Sequence, residues 1–230
     1  MDVGCSGSFD SYSIIENANY SFAELSSENI DDTKEEDFQQ FCDKIKEFST
    51  KPLFWYLEPD LNIWEYEEDG GYVKNHLTKI FFRIDMLGGE YVVVYHNAEL
   101  MKKDMDSYLK LLSNISDLAG SYGLEIVLLS GGDTNEEIIK NYNLIRALEI
   151  DYPFLRFGID LEKSDVASFF DETESMDNIK YFRIKAEDTE ISFSEKLSLL
   201  VNVLADTDIY LCVWSNLDET LNKIMFKKFI

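Results

Sequence analysis

Positive charge is scarce in this chain of 230 residues. Its 21 lysines and arginines stand against 45 aspartates and glutamates, a formal charge of 21 − 45 = −24. That balance counts against nucleic acid as a partner, because phosphate-backbone affinity comes from cationic side chains that displace counterions, and no basic stripe interrupts the acidity. Long apolar runs are missing too. None approaches the roughly 18 to 20 residues of a membrane-spanning helix, and the opening MDVGCSGSFDSYS has neither the basic segment nor the apolar core of a signal peptide. The expectation is a soluble, cytoplasmic protein with no membrane partner. Cysteine is limited to Cys5, Cys42 and Cys212, an odd number with no close pair, which suits reduced, buried thiols better than a disulfide framework or a zinc site. No Ser/Pro-rich linker or low-complexity run divides the chain.

Apolar and aromatic residues are abundant, at 45% and 14%, enough for a large core despite the charge. Short apolar segments alternate with longer amphipathic ones from end to end. Strands are predicted at about 3–7, 20–25, 53–58, 91–96, 125–129, 156–160, 179–185 and 209–214. Helical patterns lie between them. FDSYSIIENA follows the first strand, and KEEDFQQFCDKIKEFS follows the second, with Phe38, Phe41, Cys42, Ile45 and Phe48 at helical spacing. Gly71–Leu87, Leu100–Tyr122, Asn135–Leu148, Asp165–Phe170 and Ser194–Ala205 continue the series, and a last helix begins near Asn216. Turn signals precede the strands: Lys51-Pro52, Gly88-Gly89, Gly123 and Pro153. The acidic stretch Glu65 to Asp69 reads as a solvated loop.

Alternating β and α elements imply a parallel sheet, either open and doubly wound or closed into a barrel. Roughly eight repeats favour a single-domain (β/α)8 barrel over residues 1–230. The doubly wound alternative carries fewer strands, and its dinucleotide form needs G-x-G-x-x-G after the first strand, which Gly4 to Phe9 does not supply.

Such barrels place their chemistry at the C-terminal ends of the strands. Period-two alternation selects Glu24, Glu58 or Leu57, His96, Leu129, Asp160, Arg183 and Trp214 as the last inward-facing residues, with Glu24, His96, Asp160 and Trp214 of the even strands sharing a layer. Glu24 and Asp160 end otherwise apolar strands and need cationic or hydrogen-bonding partners, for which Lys163, Arg183 and Lys185 are available. They form either an ion-pair network closing the barrel or a pocket of mixed charge. His96, one of two histidines, is placed for acid/base chemistry or for a structural hydrogen bond; His76, inside a helix, reads as structural.

The order of motifs resembles the xylose-isomerase-like TIM barrels, the sugar-phosphate isomerase/epimerase superfamily, over about residues 3 to 216. The resemblance is carried by VGCSGSFDSYSIIENANYSFAEL, YVVVYH, LEIVLLSGGDTNEE, FGIDLEK, YFRIKAED and IYLCVWSN. It implies a divalent metal held by Glu, Asp, His and Glu at the ends of strands five to eight. The matching positions read Leu129, Asp160, Arg183 and Trp214, and the family's further histidine matches Lys163. One carboxylate beside two cations is a poor site for Mn²⁺, Mg²⁺ or Zn²⁺. The expectation is therefore that the family metal is lost, with no cofactor in its place, and that Arg183 and Lys163 supply its positive charge and neutralise Asp160.

Two kinds of function follow. A binding protein would hold a small sugar-like or anionic ligand with Lys163, Arg183, Lys185 and Trp214, without metal-dependent turnover. An active isomerase or epimerase would use Glu24, His96 or Asp160 as catalytic groups, either with Arg and Lys as a metal-free electrophile or with an unrecognised metal site drawing on Glu24, Glu58, His96, Asp160 or Glu162. Phosphate recognition has weak support, since only Ser130-Gly131-Gly132 offers a glycine-rich turn and it reads more simply as a connection. The family's endonuclease branch does not suit a chain this acidic with two histidines. Loop 58–72, with Leu61, Ile63 and Trp64, reads either as a lid over the barrel mouth or as a protein interface. Substrate identity and oligomeric state are not written in the sequence.

Overall fold

The computed structural model describes residues 1–7, 20–28, 30–57, 63–65, 71–132, 134–146, 152, 154–161, 169–171, 179–185 and 190–214, the first five of the last segment by backbone alone. The described elements are β1 (Asp2–Gly7), β2 (Phe22–Ser26), α1 (Glu35–Glu47), β3 (Lys51–Tyr56), a 3₁₀ turn (Ile63–Glu65), α2 (Tyr72–Met86), β4 (Tyr91–Tyr95), α3 (Ala98–Lys103), α4 (Met105–Gly120), β5 (Glu125–Ser130), α5 (Asn135–Arg146), β6 (Leu155–Asp160), β7 (Ile179–Lys185), α6 (Glu190–Leu204) and β8 (Tyr210–Trp214). The strands pair in sequence order, all parallel, and β1 closes on β8. This is a (β/α)8 barrel, as the alternation of strands and helices predicts.

All eight predicted strands are present, with ends shifted by a few residues. The sequence pattern predicts one helix over Leu100–Tyr122, but the structure has two. Asp104 breaks them, because its carboxylate accepts the backbone N–H of Ser107 at 3.1 Å and the Ser107 hydroxyl at 2.7 Å, which makes it the N-cap of α4 and the end of α3. The predicted helix after β1 and the one near Asn216 lie outside the described residues, as does most of Asp165–Phe170.

Two cores follow from the pleat. Outward-facing residues of the strands pack against the helices, which present Phe38, Cys42 and Ile45 on α1, Leu77, Ile80, Phe81 and Ile84 on α2, and Tyr108, Leu112 and Ile115 on α4. Inward-facing residues fill the lumen: Phe22, Phe54, Tyr91, Val93, Val127, Leu129, Tyr181 and Cys212. Phe54 stacks between Tyr91 and Tyr181, with centroids 4.5 and 4.6 Å away. The Phe22 ring occupies space that only a glycine opposite leaves open, since a Cβ on Gly4 would stand 2.5 Å from it. The lumen is thus a packed plug, and it forms the floor beneath whatever lies at the strand ends. All three cysteines are buried and outside any disulfide. No helix among the described residues is long and apolar enough to cross a membrane.

Candidate functional site

Above the aromatic plug the lumen turns polar. On β2, Phe22 faces inward, so alternation sends Glu24 inward as well; on β7, Tyr181 and Arg183 do the same. Glu24 is fully buried and Arg183 is 5% exposed. The two meet across the barrel, Arg183 Nη2 lying 3.1 Å from Glu24 Oε1. The other carboxylate oxygen, Oε2, accepts the phenol of Tyr181. Arg183 Nη1 reaches the Tyr95 hydroxyl at 3.5 Å, and that hydroxyl donates to Asp160 Oδ2. The guanidinium also lies between two rings, 4.5 Å from the centroid of Tyr56 and 4.6 Å from that of Trp214. Lys185 Nζ stands 4.9 Å from the Trp214 ring.

This geometry fixes the ionisation states. Burial disfavours the guanidinium charge, but Glu24 first, then Tyr181 and Tyr95, more than offset it, and the net shift for Arg183 is upward. Burial raises Tyr181 and Tyr95, and the neighbouring Glu24 and Asp160 raise them further, so both phenols stay protonated and act as donors. Cys212, also in the lumen, is held in its thiol form by burial and by Glu24.

Five of the predicted residues therefore stand together: Glu24, Asp160, Arg183, Lys185 and Trp214. Lys163, together with Glu58 and Glu162, lies outside the described residues. Leu129 is in the lumen as expected, and Leu57 packs in the outer core. The shared layer containing His96 needs correction. Tyr95 is the inward residue at the end of β4, and the His96 ring is turned to α4, where Nδ1 lies 2.8 Å from the hydroxyl of Tyr108, an outer-core residue. A period-two count begun one residue late moves every side chain to the opposite face. Burial, and secondarily Lys102, lower His96 to a pKa of about 4, so the ring is neutral near pH 7.

The expected pairing of Arg183 with Asp160 also changes. The two residues are register partners on adjacent strands, so their side chains run side by side, and the longer arginine crosses the lumen to Glu24 while Asp160 takes the Tyr95 phenol. Tyr56, Tyr95 and Tyr181 were absent from the sequence-derived set. The same alternation that selects Glu24 and Arg183 points to them, but tyrosine in a strand reads as core. The Ser130 hydroxyl donates to the Ile138 carbonyl and Asn141 donates to that of Gly131, so this segment is a connection tied to α5. Of loop 58–72, Ile63 is buried and Trp64 stacks on Tyr108 at 5.1 Å; Leu61 lies outside the described residues.

Among the described strand-end residues, Leu129 and Trp214 offer no ligand atom for a divalent ion, Arg183 is a cation, and Glu24 is ion-paired with it. Among the described residues no group of three or more His, Cys, Asp or Glu could hold a metal.

At the level of sequence, no family model and no curated protein matches the chain. Solved structures do match. They include a xylose isomerase domain protein from Planctomyces limnophilus, at 8% identity and a TM-score of 0.66, covering 99% of this chain and 94% of that one. The chain shares the barrel fold of that protein. A 3-keto-D-glucoside 4-epimerase from E. coli matches over 100% of both chains, at 10% identity and a TM-score of 0.65. A probable 3-DHS dehydratase from Bacillus anthracis shares 12% identity and a TM-score of 0.67 over 98% of each. Relatives in fold thus include sugar epimerases and a dehydratase, and at these identities the likeness is one of architecture.

Proposed function

We propose that this barrel binds a small sugar-like or anionic molecule at its C-terminal face and does so without metal-dependent turnover. The observation that carries the reading is the Glu24–Arg183 ion pair, set at the strand ends where this fold keeps its chemistry and flanked by Tyr56 and Trp214. Aromatic rings and fixed polar groups above an apolar floor are what a small polar ligand needs for orientation.

Binding is favoured over catalysis by the state of Glu24. A general base has to reach a substrate proton, and here Glu24 is fully sealed from solvent, with Oε2 accepting from Tyr181 and Oε1, which takes no hydrogen bond, ion-paired with Arg183. A guanidinium in place of a metal ligand supplies fixed positive charge but no exchangeable coordination position.

The test has two parts. Mass spectrometry of purified protein, with and without added Mn²⁺ and Zn²⁺, is expected to find no stoichiometric metal; one retained ion per chain would overturn the metal-free reading. A thermal-shift and calorimetric screen of neutral and acidic sugars is expected to yield a ligand that is not turned over. Protein that stabilises with no member of such a panel contradicts the reading.

A further inference from the structure

Two buried nitrogens at the barrel mouth lack partners. Arg183 Nε and Trp214 Nε1 are both sealed from solvent, and neither has a hydrogen-bond acceptor among the described residues. They belong to groups that stack on each other, with the guanidinium carbon 4.6 Å from the indole centroid. Leaving such donors unpaired is costly, about 1 to 3 kcal/mol each. Both groups are donors only: neither guanidinium nor indole can accept a hydrogen bond. Whatever satisfies them must bring acceptor oxygens.

We propose that Arg183 Nε–H and Trp214 Nε1–H form a carboxylate-binding site, so that the ligand of this barrel is a sugar acid or related hydroxy acid. The inference rests on the reading that the mouth holds a sugar-like ligand, and it specifies the ligand's chemistry. A carboxylate has two acceptor oxygens and no proton to place, and an N–H bonds an ionised acceptor about twice as strongly as a neutral one. Local charge permits a monoanion. Glu24 and Asp160 contribute −2, Arg183 and Lys185 contribute +2, and the sum over these four side chains is zero. A dianionic phosphate would bring these four side chains and the ligand to −2, against −1 for a carboxylate, in a chain of net charge −24. Both donors are closed to solvent, so binding requires the groups over them to move aside.

Isothermal calorimetry with D-glucuronate, D-gluconate and D-glycerate, against D-glucose, D-sorbitol, glycerol and inorganic phosphate, tests this. At least one carboxylate is expected to bind tenfold or more tighter than its neutral counterpart and than phosphate. Trp214→Phe keeps the ring over Arg183 and deletes the N–H; it should weaken the carboxylate about tenfold, leave the melting temperature within a few degrees, and remove the ligand-dependent change in tryptophan emission. Equal binding of acid and neutral sugar, a preference for phosphate, or undiminished carboxylate binding by Trp214→Phe overturns the carboxylate site while leaving the sugar-binding reading intact. Binding by no member of the panel overturns both.

Discussion

Glu24 and Arg183, on β2 and β7, form an ion pair across the barrel lumen that is closed to solvent, with 3.1 Å between Oε1 and Nη2. A buried pair of this kind contributes little net stability, but losing one partner strands a charge. Glu24→Ala is therefore expected to destabilise the protein by about 3 to 5 kcal/mol. Glu24→Leu combined with Arg183→Met should recover most of that loss. Urea denaturation of Glu24→Leu, Arg183→Met and the double measures the coupling, and strictly additive effects would show that the pair is not the organising contact.

His96 gives the protein an acid-sensitive component. Its folded-state pKa of about 4 lies below the ordinary value of 6.5, because burial disfavours the imidazolium. The unfolded chain thus takes up the proton first on acidification. The stabilising effect of the neutral ring is complete above about pH 6.5 and is lost as pH falls from there to about 4. His96→Gln should flatten the stability profile across that window. Histidine NMR offers a direct check, since the chain has two histidines; a ring at position 96 titrating between pH 6 and 7 would contradict the burial argument.

Gly4 is fixed by packing. A Cβ there would stand 2.5 to 2.6 Å from three atoms of the Phe22 ring, which is itself wedged against Phe54 and Tyr210. Gly4→Ala should cost about 1 to 3 kcal/mol by overpacking. Phe22→Leu in the same chain should relieve part of it. A Gly4→Ala variant as stable as the parent in thermal melts would mean that the lumen has slack that this packing denies.

The barrel should be indifferent to chelation. With a guanidinium on Glu24 and no ligand atoms on Leu129 or Trp214, EDTA is expected to leave both the melting temperature and the affinity for any bound sugar or acid unchanged. A fall of several degrees in EDTA, reversed by Zn²⁺ or Mn²⁺, is the outcome that contradicts it.

The barrel was legible because its strands are short apolar runs and its helices keep the 3.6-residue period, as in Phe38, Cys42 and Ile45 of α1. Glu24, Asp160 and Arg183 were legible because charges ending apolar strands demand explanation. Their pairing was not. The Tyr181–Glu24 contact spans 157 positions of sequence, and alternation tells which face a residue occupies but not what stands across the lumen from it. Tyr56, Tyr95 and Tyr181 were overlooked because a tyrosine buries its ring like any core residue and shows its polar use only through the hydroxyl's partner. His96 and Tyr95 were exchanged because a five-residue strand leaves the start of the count open by one.

The pairing of β1 with β8, from Asp2 against Tyr210 to Cys5 against Val213, joins the two most distant strands of the chain. During synthesis, therefore, β1 has no partner on that side until residues near 214 have been made. A nascent or truncated chain that has reached β7 exposes two raw strand edges, on β1 and β7, and such edges recruit other chains. The closed ring of the eight described strands has none, so loss of a few residues from β8 would be felt first as aggregation, before any change in ligand recognition.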